Sequence, residues 1–262
     1  MRDALRMAAG TLTALPVPAP RAVDRRVAGT AMLLAPVAAI PLAALALGVV
    51  LLGDLTGLPA LVTAALAIGA VALGTRGLHL DGLTDTADGL AAAAKAALAP
   101  TADARTAHRE RALEIMRRGD SGPAGIATLV LVLLVQCAAL AGAVAAGHGP
   151  AAVVLGVLAG RAMLPLCCAR GIPSARPGGL GDAVAGTASI PWACAGLLVV
   201  AGLSALAPGL PWWQGPAAVL GACAIAGVLL ARCVRRLGGI TGDVLGACVE
   251  TATTTAWLVL ST

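Results

Sequence analysis

Between Val27 and Thr75 the chain carries one charged residue, Asp54, and between Pro123 and Gly160 it carries none. Runs of this kind fill a hydrocarbon layer, since about 20 residues rising 1.5 Å each cross a core of about 30 Å. Helices are the spanning form they imply. In lipid the backbone must pair within its own segment, and no run alternates in the manner of a barrel strand. Composition agrees: 59% hydrophobic and 12% charged residues, with a mean hydropathy of +0.91, are too apolar for an ordinary soluble domain. The expected fold is all-α, a single polytopic integral membrane domain over 1–262. It is a helical bundle of about seven transmembrane helices near 27–52, 58–78, 123–147, 150–169, 190–208, 211–233 and 244–261. Phe and Tyr are absent, so only Trp192, Trp212, Trp213 and Trp257 are left to mark membrane interfaces.

Charge sorts the connections into two sets. The segments 53–59, 147–150 and 207–215 contain no Lys or Arg, whereas 1–26, 79–122, 170–189 and 232–243 hold nearly all of them. Alternation of this kind predicts seven spans with a cytoplasmic N-terminus, in a bacterial cytoplasmic membrane. The +5 net charge is then a topology signal, and no basic helix or aromatic platform supports nucleic acid as a partner. Pro16, Pro18 and Pro20 interrupt the first apolar stretch, so 1–26 reads as an interfacial segment rather than a cleaved signal. Seven cysteines form no CxxC pair and three histidines lie far apart, which gives no zinc pattern.

This topology gathers four polar, glycine-rich segments on one side: 77–90, 105–122, 170–182 and 235–250. The first reads GLHLDGLTDTADGL. At about 100° per residue, Asp85 lies roughly 40° to one side of Asp81 and Asp88 roughly 20° to the other, so the three share a helix face. Such a face repels itself unless a cation sits on it. Asp81, Asp85 and Asp88 are therefore the expected Mg²⁺ ligands, with phosphate oxygens and water completing the shell. An EF-hand does not fit, because Leu83 and Thr86 stand where that loop needs an acid and a glycine. The repeated DGL glycines read as places where a ligand approaches the backbone. His79 is a weaker expectation, as a base or a substrate contact.

The last segment looks like a second half of the site. Gly239, Thr241 and Gly242 offer backbone N–H groups at a helix start, where an anion is welcome. Asp243 and Glu250, seven apart, share a face, and Glu250 falls within a span, as does Arg161; intramembrane charges are usually functional. Arg161 reads either as a substrate contact or as the partner of Glu250. Arg170 and Arg176 are suited to clamp phosphate. Glu114 is a further substrate-binding expectation, with surface ion pairing on its own helix as the plainer alternative.

At these residues the chain resembles the cobalamin synthase family, the adenosylcobinamide-GDP ribazoletransferases. RGLHLDGLTDTADG matches the family's first motif, LEIM and the glycine-rich turn after it recur at 113–125, Ala-Arg followed by GLG recurs at 175–181, and GGITGDVLGACVE matches the last motif at 238–250. Three departures stand out. Arg76 occupies a glycine position, the acid after LEIM is displaced to Asp120, and the stretch after Glu250, ETATTTAW, lacks the second acid that the family often has there.

The resemblance implies a late transferase step in cobalamin assembly. A ribose hydroxyl of α-ribazole, or of its 5′-phosphate, attacks the corrinoid-side phosphate of adenosylcobinamide-GDP, and GMP departs. It leaves Asp88 or Asp243 to take the hydroxyl proton. Expected partners are these small molecules and membrane lipid, and a homo-oligomer is compatible with the sequence. Two rivals are a CDP-alcohol phosphotransferase, disfavoured because Leu83 and Thr84 follow Asp81-Gly82, and a transporter, which would place its charges near the bilayer midplane.

Overall fold

The computed structural model describes residues 1–94 and 101–262. Among them there are fourteen helices and no strands, only two isolated bridges, so the all-α expectation holds. In chain order the helices are α1 (Arg2–Leu12), α2 (Arg25–Leu33), α3 (Ala35–Ala38), α4 (Ile40–Thr56), α5 (Ala60–Gly74), α6 (Leu78–Ala93) and α7 (Ala102–Arg118). They continue with α8 (Pro123–Ala145), α9 (Gly149–Ala162), α10 (Leu164–Cys167), α11 (Gly179–Val184), α12 (Ile190–Ser204), α13 (Gln214–Leu237) and α14 (Gly242–Leu260). In the N-terminal segment α1 buries Ala4, Met7, Ala8 and Leu12, while Arg6 pairs with Asp3 on its outer side.

Three helices are long and apolar enough to cross a membrane: α8, α13, and α9 continued through α10 to Cys167. A fourth arises only if α5 and α6 are taken as one span bent by 89°. The expected count of seven is not reached on this measure, and the reasons are local. Proline removes an N–H and clashes one turn back, so the expected 27–52 span breaks at Leu34 and Ala39 into α2, α3 and α4, with Pro36 and Pro41 in the first turns of the last two. Pro165 divides α9 from α10 in the same way. α4 and α12 are apolar but short. The segment expected as a loop, 79–122, contains α6 and α7, with 95–100 outside the described residues.

The helix closest to the centre, α14, is not among the apolar crossing helices. It packs against α13, α6, α9 and α8, and their side chains rather than lipid surround Glu250 and Thr253. Polar residues are tolerated there because each faces protein. The outer faces are the apolar ones, with Leu131 and Leu134 on α8, Leu198 and Leu203 on α12 and Val228 on α13 all exposed. Trp192 near the start of α12 and Trp212 and Trp213 beyond its end are exposed too. Trp257 marks no interface: it is buried and donates from Nε1 to the Ala152 carbonyl at 3.0 Å.

The 89° turn takes α6 out of line with α5 and packs it against α14, α7 and α8. Arg76 lies in this turn with φ 56°, followed by Gly77 at φ 71°. Left-handed φ explains why glycine is the family's residue at position 76. The arginine here bonds through Nη2 to the Gly10 carbonyl at 3.0 Å.

Candidate functional site

The first and last motifs meet where α6 crosses the start of α14. A Cβ built on Gly82 would lie 2.6 Å from the Asp243 carbonyl oxygen, and one on Gly246 would lie 3.1 Å from His79 Cα. The second DGL glycine, Gly89, has no room for a Cβ either, because Met116 Sδ of α7 would lie 2.5 Å away. These glycines therefore serve close helix packing, not the approach of a ligand. Their effect is to bring Asp243 beside Asp81 and Asp85.

The three aspartates of α6 do not act as one set. Asp81 is exposed, and Asp85 is buried beneath it. Asp88 is also buried, and both its oxygens are taken: Oδ2 accepts from Gly122 N at 2.7 Å and Oδ1 from Gly125 N at 2.9 Å. It caps the N-terminus of α8 from a different helix. Among the described residues no three His, Cys, Asp or Glu side chains form a ready metal cage. The structure sets Asp243 and Arg176 beside Asp81 and Asp85, while Asp88 turns toward the start of α8. Arg176 holds Asp243 at 3.6 Å through Nη2 and donates from Nη1 to the Leu113 carbonyl at 3.0 Å, tying α7 to the site.

Charge in this group is poorly compensated. Burial, then the carboxylates of Asp81, Asp243 and Asp88, push the Asp85 pKa up to about 6 from 3.8, against a smaller opposing effect of Arg176. Burial raises Asp243 as well, offset by the Thr241 hydroxyl and Arg176 and reinforced by Asp81. A divalent cation would relieve this strain. Mg²⁺ commonly uses only one or two carboxylates together with substrate phosphates, so hard oxygen donors at an accessible rim fit it without a closed cage.

The other expected residues divide between this site and elsewhere. Thr241 is the N-cap of α14, accepting from Val244 N at 3.3 Å and donating to Asp243 Oδ2 at 3.1 Å. Gly239 is pressed against the backbone of Pro173–Ala175, which is bonded to Ile240 on both sides, so it is a packing residue rather than a substrate contact. Gly242 stays open and lines a cleft of about 230 Å³ with Asp243 and Arg176. The remaining walls of this cleft are apolar, among them Met32, Leu78, Leu164 and Leu180, and no motif in the sequence marked them. Arg170 lines a different cavity, so the expected Arg170–Arg176 clamp is not assembled. Asp120 is exposed.

Glu114 points to Arg117 and Arg118 of its own helix, at 3.7 Å each, with about half its side chain exposed. Glu114→Gln is accordingly expected to leave turnover within about twofold of wild type, since exposed pairs contribute little; steady-state kinetics in membranes checks this.

Beneath the cleft lies a second polar group within the bundle. His79 Nδ1 faces Arg161 Nη2 at 3.1 Å, and because a guanidinium only donates, that nitrogen accepts. His79 is buried with its accepting nitrogen occupied, so it forms a wall of the cleft and is not placed as a base. Glu250 accepts from Gln136 at 2.8 Å. Arg161 and Glu250 line one cavity of about 10 Å³, room for about one water. They form no ion pair within 4.0 Å, and Glu250 sits two helical turns below Asp243, away from the acidic rim. Arg161 and Glu250 lie in the core, apart from the cleft, and Arg161 Nε and Nη1 are buried without a hydrogen-bond partner.

Comparison with known proteins agrees with this geometry. The profile of the family described as cobalamin-5-phosphate synthase matches residues 4–261. An adenosylcobinamide-GDP ribazoletransferase of Nocardioides sp. is 44% identical over 98% of this chain and 99% of its own length. Those of Frankia casuarinae and Pseudomonas aeruginosa are 38% and 37% identical, each over 95% of this chain and 91% and 95% of their own lengths. No solved structure matches. The motifs that meet at Gly82 and Asp243 are thus those of a transferase family, and the chain belongs to the cobalamin-5-phosphate synthases.

Proposed function

We infer that the protein joins adenosylcobinamide-GDP to α-ribazole, or to α-ribazole 5′-phosphate, releasing GMP and giving adenosylcobalamin or its 5′-phosphate. The observation that carries this reading is that Asp243 and Arg176, which line an apolar cleft, also stand beside Asp81 and Asp85. Three carboxylates and a guanidinium beside a mostly apolar cavity suit a phosphate group attached to a flat, weakly polar base.

Each group has a part in the transfer. Arg176, already fixed by the Leu113 carbonyl, orients a phosphate oxygen. The first backbone amides of α14, at Gly242 and Asp243, lack intrahelical partners and favour the same negative charge. Asp243, made more basic by burial, accepts the proton of the attacking ribose hydroxyl. Asp88 is less suited to that role, because each of its oxygens already accepts a backbone N–H at the start of α8. Asp81 and Asp85 would hold Mg²⁺, which when bound neutralises pyrophosphate charge and the charge developing on departing GMP. The apolar walls, led by Leu78, Leu164 and Leu180, receive the base and exclude water from the hydroxyl.

In this reading the site faces the cytoplasm from the inner membrane, as the arginine-rich segments around it suggest. The test supplies membranes containing the protein with adenosylcobinamide-GDP and α-ribazole, with and without Mg²⁺, and follows the corrinoid product and GMP by mass spectrometry. Equal amounts of both products are expected, only with Mg²⁺. No product under either condition, from protein of native helicity, overturns the reading.

A further inference from the structure

Across α2 from the cleft lies a second cavity, of about 500 Å³, that the reaction does not use. Met32 faces the cleft, while Thr30, about 160° round the helix, faces this cavity. Its polar lining is Arg25, Arg26, Thr30, Arg170, Thr187 and Ser189. The lining is held in place by backbone contacts. Arg25 Nη2 donates to the Ala185 and Gly186 carbonyls at 3.2 and 3.4 Å. Arg170 is fixed beside Ala188 by paired backbone bonds, Arg170 N to Ala188 O at 3.0 Å and Ala188 N to Cys168 O at 2.9 Å. Gly29 lets α2 touch this strip, since a Cβ there would meet the Thr187 carbonyl oxygen at 2.6 Å.

Among the described residues no carboxylate lies within 4.0 Å of these three guanidinia. The nearest acids on the adjoining elements are committed: Asp24 caps Val27 N at 2.7 Å, and Asp182 accepts from Gly178 N at 2.9 Å. Arg25 and Arg26 also stand in the first turn of α2, where the helix dipole disfavours positive charge. Three exposed guanidinia around one cavity, with no carboxylate paired to them, make a positive local field that attracts an anion. A helix start adds to the same demand, because Ser189 leaves the first amides of α12 without a side-chain cap.

The surroundings say which anion. Directly after Ser189 come Ile190, 49% exposed, and Trp192, 69% exposed, and the outer face of α12 continues with exposed Leu198 and Val199. An arginine-lined cavity above an exposed tryptophan and an apolar helix face is how a protein presents itself to a lipid headgroup and its chains. We propose that this cavity binds the phosphate diester of an acidic phospholipid, with the acyl chains lying along α12.

The experiment uses the full chain, purified in detergent and offered equal amounts of phosphatidylglycerol and phosphatidylcholine, with bound lipid counted by native mass spectrometry. Phosphatidylglycerol should be retained selectively. The double variant R26Q/R170Q should bind it on the order of 25-fold more weakly, about fivefold per guanidinium, with circular dichroism unchanged. R117Q/R118Q, which removes the same charge from the exposed face of α7, should retain it as wild type does. Unchanged retention in R26Q/R170Q, or an equal loss in both double variants, overturns the site. Retention of both lipids alike, with inorganic phosphate bound by wild type and not by R26Q/R170Q, overturns the lipid source and assigns the cavity to a soluble phosphate. If the double variant loses helicity, R26Q alone, at an exposed position, must still show the fivefold loss or the site fails.

Discussion

Asp85→Asn is expected to reduce turnover by roughly 10²–10³-fold, a usual cost of removing one group that stabilises transition-state charge, while making the metal-free protein more stable. The two effects have one cause. Asp85 is buried among Asp81, Asp88 and Asp243, and its carboxyl holds a proton up to about pH 6 in the folded protein against 3.8 in the unfolded chain. The fold therefore receives its full contribution from this group below about pH 4 and loses it as pH rises through about 6. Asparagine has no proton to lose, so the Tm of metal-free D85N should decline less than that of wild type over that window, with Asp243 left to titrate. Mg²⁺ should raise the Tm of wild type at neutral pH and do less for D85N. Thermal unfolding in detergent with chelator, from pH 4 to 7.5, reads the stability; product formation reads the rate. Turnover within tenfold of wild type, or a Tm well below it at pH 7.5, would count against Asp85 as part of a cation-binding group.

Such a contrast is not visible in the sequence, and the reason is instructive. Helical period alone placed Asp81, Asp85 and Asp88 on one face, and they do lie on α6 as that spacing requires. What the period cannot say is which neighbour each meets. Asp88 faces the start of α8, thirty-four residues on, because Gly122 and Gly125 leave space for its carboxylate there. The glycines of the DGL repeats looked like openings for a ligand, but a missing Cβ serves a packed helix equally well, and the structure uses Gly82 and Gly89 that way. The expected 27–52 span is divided where single prolines redirect an apolar run, at Pro36 and Pro41, since hydropathy does not register the missing N–H. Arg170 and Arg176 lie six residues apart, yet the turn between them sends one to each side of α2. The family was legible because its motifs are long, and its Gly-to-Arg departure at 76 became intelligible only once φ was known.

Asp88→Ala is expected to behave oppositely to Asp85→Asn, losing stability first and activity as a consequence. The carboxylate satisfies two backbone donors, Gly122 N and Gly125 N, at a helix start where negative charge is favoured. Alanine leaves the buried Gly125 N–H and the partly buried Gly122 N–H without an acceptor and opens a void beside two residues that have no side chain to fill it. Bonds to a charged acceptor contribute about 1.5–3 kcal/mol each, so a loss of about 3 kcal/mol is expected, read as an earlier transition in denaturation from mixed micelles. Asp88→Asn should recover only part of it, since its amide offers one acceptor and turns an N–H donor toward the second backbone N–H. Mg²⁺ should stabilise D88A by as much as it stabilises wild type, because Asp81 and Asp85, which would hold it, remain. If D88A instead unfolds like wild type and has lost its response to Mg²⁺, Asp88 belongs with the cation ligands and the division of the three aspartates drawn from its backbone bonds is wrong.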